Sequence, residues 1–372
     1  MASTTEPQLF QPIQFGDVKL KHRIVMAPLT RFRADANHVP SPMVMEYYAQ
    51  RASVPGTLIA TDGTLIAEKA GGYDHVPGIW SDEQVAAWKK ITDAVHAKGS
   101  YIFCQLWALG RGANPAVMER LGLPYVSASD VPIPGSTIRP RSMTIDEIHE
   151  YTELYAQAAY NAVKAGFDGI EVHGANGSLA DQFLQDMTNL RTDEYGGSIE
   201  NRSRFGMEVL GVISEAIGEK KMAIRLSPWE LVDGMGMKDP KPTFTYFVKT
   251  IKERFPDFAY IHCTEARVYA DGRQEREPPL PGQYNDFIRD VWAPKPLIVA
   301  GGFTRDLAVE AAAYDNVLVA FGRYFIANPD LPLRLKKSIP FNEYNRATFY
   351  TQGSEGYLDY PFSQEAREVF KL

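Results

Sequence analysis

Apolar positions in this chain gather into short unbroken runs rather than strict alternation. Eight such runs are rich in β-branched residues. They are "IVMAPLT" (24–30), "TLIATDG" (57–63), "YIFCQLW" (101–107), "GIEVHG" (169–174), "MAIRLSP" (222–228), "AYIHCTE" (259–265), "PLIVAGG" (296–302) and "NVLVAFG" (316–322). Continuous runs of this length are expected of strands covered on both faces. Between them the period changes to that of helices. In "DEQVAAWKKITDAVHAKG" (82–99), Val85, Trp88, Ile91, Thr92 and Val95 fall on one face, and Gly99 is the expected stop. The stretches 144–166 and 198–218 read the same way, with Ser198 the expected N-cap of the second and Glu200 in its positive first turn.

Eight strands alternating with helices predict an α/β fold, a single (β/α)8 TIM barrel over residues 1–372. A doubly wound sheet is the alternative arrangement. One connection breaks the rhythm. Residues 108–143, after the third run, are rich in Gly and Pro and show no clear helix. So long an excursion in a compact domain is usually functional, and it is expected to cover part of an active site.

In such barrels chemistry gathers at the C-terminal ends of the strands. Those ends carry Pro28, Leu29 and Thr30, Gly63, Gln105 and Trp107, His173 and Asn176, Arg225, Gly301 and Gly302, and Gly322 and Arg323. Glycines let backbone N–H groups approach a ligand, and Arg323 after Gly322 can clamp a phosphate bidentately. Gln105 can read the edge of a heterocycle, and Arg225 can hold negative charge on it. Together they suit a flavin mononucleotide. Other barrel chemistries lack parts. A metallohydrolase needs several ligands, yet only His173 and His262 lie at strand ends, so no metal is expected. A Schiff-base enzyme needs a lysine within a strand, and none is there. A glycosidase needs two facing carboxylates. Asp62, Glu171 and Glu265 show no evident pairing, which leaves this a remote alternative.

Composition narrows the setting. Lys+Arg is 39 against Asp+Glu 46, a net of -7 without a basic block, so no nucleic-acid partner is expected. The N-terminus has no cationic segment leading into an apolar one, and no apolar run approaches membrane-spanning length. Two cysteines, Cys104 and Cys263, lie inside apolar runs and read as buried thiols. A cytoplasmic protein, monomer or homodimer, acting on a small molecule is the expectation.

The segments "MAPLTRFRA" (26–34), "FCQLW" (103–107), "EVHGANGSLADQFL" (171–184), "RTDEYGGSIENRSRF" (191–205), "AFGRYFIANPDLP" (320–332) and "EGYLDYPF" (355–362) closely resemble the Old Yellow Enzyme family. The resemblance runs from about Leu9 to Pro361. It is nearest to the fungal secondary-metabolite branch of the chanoclavine-aldehyde reductase type. It implies non-covalent FMN reduced by NADPH. Pro28, Leu29, Thr30, Gly63, Gln105, Arg225, Gly301, Gly302, Gly322 and Arg323 match the family's flavin contacts. His173 and Asn176 match its grip on a substrate carbonyl oxygen. Trp107, Tyr350 and Tyr73 match aromatic positions on the substrate side.

One position departs from the family. Two residues beyond the asparagine it carries a tyrosine that protonates the substrate α-carbon; here "HGANGS" puts Ser178 there. An alkyl hydroxyl is a far weaker acid than a phenol of pKa ~10 and has less reach. Three readings follow. Ser178 positions a water and the enzyme remains a reductase. Alternatively protonation is disabled, and the flavin serves a redox-neutral isomerisation or substrate oxidation. In the third, the vacated space admits a bulky substrate and guides a cyclisation. Ser178 also stands where an N-cap for a helix from Leu179 is expected.

Overall fold

The computed structural model describes residues 6–267 and 281–371. Eight parallel strands close into a barrel: β1 (Ile24–Met26), β2 (Leu58–Ala60), β3 (Tyr101–Trp107), β4 (Gly169–Gly174), β5 (Met222–Leu226), β6 (Tyr260–Thr264), β7 (Leu297–Ala300) and β8 (Val317–Phe321). Each pairs with its successor, and β8 returns to β1 with Val319 opposite Ile24. Closure excludes the doubly wound alternative. All residues of β4, β7 and β8 are buried, as continuous apolar runs demand. An antiparallel hairpin, Ile13–Phe15 with Val18–Leu20, packs at the N-terminal end, where Phe15 meets Tyr260 and Phe103 edge-on at 5.6 and 6.5 Å.

Helices α1 (Pro42–Arg51), α2 (Asp82–His96), α3 (Ile145–Lys164), α4 (Ile199–Ile217), α5 (Lys241–Arg254), α6 (Asp286–Trp292), α7 (Arg305–Ala311) and α8 (Leu331–Lys337) follow the strands. Ser81 and Thr144 start α2 and α3 with reciprocal caps through Gln84 and Glu147. Ser198 caps α4 as expected, accepting from the Asn201 N–H. Helix α2 ends at His96, three residues before the expected stop; Gly99, at φ +73°, instead completes the turn into β3. No helix among the described residues is long and apolar enough to cross a membrane. Both cysteines are free and buried.

The excursion 108–143 is more regular than its composition suggests. It contains a helix, Pro115–Leu121, started by the Asn114 side chain with proline at its first position and ended at Gly122 in the left-handed region. Its anchor is Arg111. This buried guanidinium donates to the carbonyls of Val131, Pro132 and Asp233, tying the excursion to the loop after β5.

A second fastening lies across the barrel. The buried guanidiniums of Arg31, Arg33 and Arg51 hold residues 348–357 almost wholly through backbone carbonyls. Arg31 donates to Phe349 and Gly356 (both 3.0 Å), Arg33 to Thr348, Phe349 and Gly353 (all 3.1 Å), and Arg51 to Tyr357 (3.2 Å). Tyr47 and Tyr357 stack at 4.0 Å with parallel rings beside them. This C-terminal strap carries Arg346, Phe349 and Tyr350 to the mouth of the barrel.

Candidate active site

Register sets the site's polar floor. Gln105 lies opposite Glu171, and His173, Arg225 and His262 stand side by side on β4, β5 and β6. Alternation along β4 puts Glu171 on the same inward face as His173. Glu171 accepts from Gln105 Nε2 (2.8 Å) and pairs with His262 Nδ1 (3.0 Å). Burial alone would push the Glu171 carboxyl up, but His262, Arg225 and Gln105 outweigh it and keep it ionised. Burial holds His262 neutral, so its Nδ1–H is the donor. By taking the Gln105 amide hydrogen, Glu171 sets which edge of that amide faces the cavity above.

The cavity at the C-terminal ends of the strands measures about 280 Å³. Every expected flavin contact except Gly63 lines it, as do His173, Asn176 and Tyr350. Gly63 serves as a seat instead: a Cβ there would come within 2.5 Å of the Trp107 indole. Trp107 and Tyr73 lie off the cavity wall. They continue a run of aromatic contacts in which Tyr73 meets Trp107 at 6.2 Å, and Trp107 meets His173 at 5.7 Å. From the other side Phe32 joins Tyr73 to Tyr350 through edge contacts of 5.9 and 5.8 Å. Thr264, Phe303, Tyr324, Arg346 and Phe349 also line the cavity, unmarked by the sequence reading. For Thr264 a signal existed, since it ends a strand.

Ser178 faces its own chain rather than the cavity. It does not line the cavity; its hydroxyl donates to the His173 carbonyl at 2.5 Å, and the residue is 2% exposed. It occupies the N-cap position of the helix Leu179–Leu184, but its side chain makes no capping bond. The expected cap is therefore positional only, because the hydroxyl is already committed. Asn176 is held in the left-handed region (φ +53°), with its N–H donating to Ser227 Oγ at 2.7 Å. That conformation suits asparagine and turns its amide to the cavity wall.

Whether the site fits a flavin nucleotide is decided by its unmet hydrogen-bonding capacity. His173 Nδ1, Asn176 Oδ1, Arg225 Nε and Thr264 Oγ1 are buried without a hydrogen-bond partner among the described residues, and all four side chains line the cavity. Buried polar groups are rarely left so, and a bound ligand is the usual partner. Gly301 (φ +130°) and Gly302 (φ +62°) adopt backbone conformations that favour glycine and leave the wall without side chains. Among the described residues no Asp or Glu lines the cavity, whereas Arg225, Arg323 and Arg346 do. A polar, anionic heterocycle bearing a phosphate matches this set. Asp62, Glu171 and Glu265 all lie off the wall, with Asp62 engaged by the Arg31 N–H and the Tyr48 hydroxyl.

Comparison with known proteins decides the family. Residues 8–342 match the NADH:flavin oxidoreductase / NADH oxidase family. The chain belongs to this family. Its FMN-type oxidoreductase chemistry supersedes the glycosidase alternative. An NADP-dependent oxidoreductase, lnbE, of Aspergillus flavus is 50% identical, covering 98% of this chain and 99% of its own. The chanoclavine-I aldehyde reductase fgaOx3 of Penicillium roqueforti is 48% identical, covering 98% and 99%. A protein named as a probable inactive reductase, easA, of Epichloe festucae var. lolii is also 48% identical, covering 96% of each. Among solved structures, an Old Yellow Enzyme from a Pichia species superposes with a TM-score of 0.88 at 36% identity, covering 96% of this chain and 94% of that one. Morphinone reductase gives 0.88 at 38%, covering 97% and 98%. The protein is thus an FMN-dependent oxidoreductase of the Old Yellow Enzyme type.

Protonation adds a measurable consequence. Burial first, then Arg225, lowers the His173 pKa to about 3, so its imidazole is neutral at physiological pH. His22 is lowered to about 4 by burial and Lys336. The unfolded chain protonates both near their ordinary 6.5. Their stabilisation is therefore full above that pH and is lost as pH falls toward the folded values, at about 1.4 kcal/mol per pH unit each. Asp181 runs the other way: burial raises it from 3.8 to about 7, so its contribution is full below 3.8 and is lost as pH rises through 7. His262 is lowered too, and Asp62 and Glu265 are raised beside Asp181, so the share of one histidine is read by difference. The urea midpoint of a His22→Gln variant is expected to fall less than that of the parent from pH 6.5 to pH 4, and an equal fall would contradict a buried neutral His22.

Proposed function

We propose that this oxidoreductase takes electrons from NADPH and reduces the conjugated double bond of an α,β-unsaturated carbonyl compound of fungal secondary metabolism. The observation that carries the reading is the pair of unpartnered side chains, His173 and Asn176, on the wall of a cavity that suits a flavin. The lnbE and fgaOx3 names, NADP-dependent and chanoclavine-I aldehyde reductase, support the electron donor and the substrate class.

When bound, FMN supplies hydride for the substrate β-carbon. Thr30, Gln105 and Arg225 would hold its ring, and Gly301, Gly302, Gly322 and Arg323 its phosphate end. The neutral His173 imidazole and the Asn176 amide offer N–H groups to the substrate carbonyl oxygen. They stabilise the negative charge that grows there when the β-carbon is reduced. Because His173 stays neutral, this grip does not titrate between pH 5 and 9. Trp107 backs the imidazole with Tyr73 behind it, and Tyr350 offers the substrate an aromatic edge.

A second reading rests on Ser178. With its hydroxyl donated to the His173 carbonyl, no acid stands where the family places its tyrosine. Slow α-protonation would favour redox-neutral isomerisation, cyclisation or substrate oxidation in the same pocket. Relatives of equal identity named as an aldehyde reductase and as a probable inactive reductase keep both readings in play.

The deciding experiment combines cofactor uptake with product mass. Purified protein is expected to show a flavin spectrum, to bleach with NADPH under anaerobic conditions and to reoxidise with an enal or enone. Failure to take up FMN sinks both readings. A product heavier by two hydrogens supports reduction; unchanged mass supports isomerisation or cyclisation, and a loss of two hydrogens supports oxidation.

A further inference from the structure

Buried carboxylates elsewhere in this chain hold backbone. Asp62 accepts from the Arg31 N–H, Asp181 from Gly177, Glu230 from Leu231 and Asp330 from Ser363. Glu171 differs from all of them. It is 0% exposed, yet among the described residues it binds no backbone group and forms no ion pair with a lysine or arginine. Its partners are two side chains, Gln105 Nε2 and His262 Nδ1, on strands that the barrel's own ladder already holds in place. Ala223 stands between β4 and β6 in register, opposite Glu171 on one side and Tyr260 on the other, and its small side chain lets Glu171 reach His262. Taking a carboxylate out of water is unfavourable, and here no segment of the fold is fastened in return.

What the charge faces gives it a task. Two residues beyond Ala223 on β5, and so on the same inward face, Arg225 lines the cavity. Gln105 lines it from β3. Against the effect of burial, Glu171 is kept ionised by His262, Arg225 and Gln105. In the proposed function Gln105 and Arg225 hold the flavin ring. That ring gains negative charge on reduction, which a guanidinium favours and a carboxylate opposes. Both act strongly where water is excluded. A ring that is harder to reduce gives up hydride more readily, which suits the reduction of a conjugated bond.

We propose that Glu171, fixed by Gln105 and His262, is a tuning charge that opposes Arg225 and lowers the reduction potential of the bound flavin. This deepens the proposed function and rests on its seating of the ring over Gln105 and Arg225. Glu171 lies off the cavity wall, so it acts on the ring through its field and through the Gln105 amide. His262 is the positioning residue for Glu171, because its Nδ1–H supplies the donor that offsets the carboxylate's burial.

The test is the reduction potential of the FMN-loaded protein, read by anaerobic equilibration with a dye of known potential. Glu171→Gln keeps the shape and an acceptor for the Gln105 amide but removes the charge. Its preference for reduced over oxidised FMN is expected to rise about tenfold, an upward shift of about 30 mV for a two-electron couple. His262→Leu removes the donor and leaves burial to neutralise the carboxyl, so its potential rises as well. His262→Asn, with an amide N–H near the position of Nδ1, stays with the parent. A folded Glu171→Gln whose preference is lowered, or is within about twofold of the parent, overturns the proposal. A drop in melting temperature with that unchanged potential marks a structural role and overturns it too. Should Glu171→Gln fail to fold or to load FMN, the His262 pair decides, and equal potentials in those two variants overturn the proposal. Parent protein that takes up no FMN is a distinct result: it overturns the proposed function, and this inference falls with it.

Discussion

Replacing His173 with Ala, or Asn176 with Gly, slows reoxidation of the reduced enzyme by an enone about 10²–10³-fold for each change. The two residues provide the hydrogen-bond donors aimed at the substrate oxygen in the proposed reaction. His173 donates from a neutral ring because burial and Arg225 depress its pKa to about 3. Its position is fixed by β4 and by the Trp107 ring against its face. Asn176 needs glycine rather than alanine as its replacement, because alanine in the left-handed region (φ +53° here) adds strain unrelated to the lost amide. Stopped-flow measurement of the oxidative half-reaction reads the effect directly. FMN content should be retained, since the ring and phosphate contacts are elsewhere. A slowing of less than about tenfold in both variants would remove the carbonyl grip from the mechanism.

Ser178→Tyr is expected to raise enone reduction by up to about 10²-fold, as a positioned general acid does. In the parent the hydroxyl is donated to the His173 carbonyl and lies off the cavity wall, so it offers the substrate no proton. A phenol restores acidity and reach together. The exchange gives up one buried hydrogen bond worth about 1 kcal/mol, a small fraction of the stability of a domain this size. The informative readout is product mass as well as rate. A gain of two-hydrogen product where the parent isomerises shows that the missing acid determines the reaction's direction. Should the variant bind FMN, reduce with NADPH and still show no gain, protonation is not what the serine limits, and the shape of the pocket becomes the determinant.

Much of this was written in local pattern. The run 101–107 is β3 and the run 169–174 is β4, to the residue. Their continuous apolar character follows from burial on both faces, a property each short segment carries by itself. The start of α4 was equally legible, because Ser198 acts within three residues of itself; Ser81 and Thr144 start α2 and α3 by the same local means but were not singled out. Stops were less so. The last apolar position of α2 is Val95, and the chain leaves the helix at His96 because the turn through Gly99 must deliver β3 to the barrel. The helix Pro115–Leu121 escaped notice because seven residues are too few to establish a period.

What the sequence determined alone was the order of strands and helices, the glycines and polar residues at the strand ends, and the juxtaposition of His173, Asn176 and Ser178. These depend on neighbours a few positions away. Only the tertiary structure decided which polar groups find partners. Arg31 meets Phe349 and Gly356 more than three hundred residues later in the chain, and so brings Arg346 and Tyr350 to a cavity built by the barrel. Ser178 turns to the His173 carbonyl, whereas His173, Asn176 and Arg225 keep capacity in reserve for a ligand. A residue's type fixes what it can donate or accept. Which of those bonds it makes depends on distances set by the closed barrel, and no local stretch of sequence contains them.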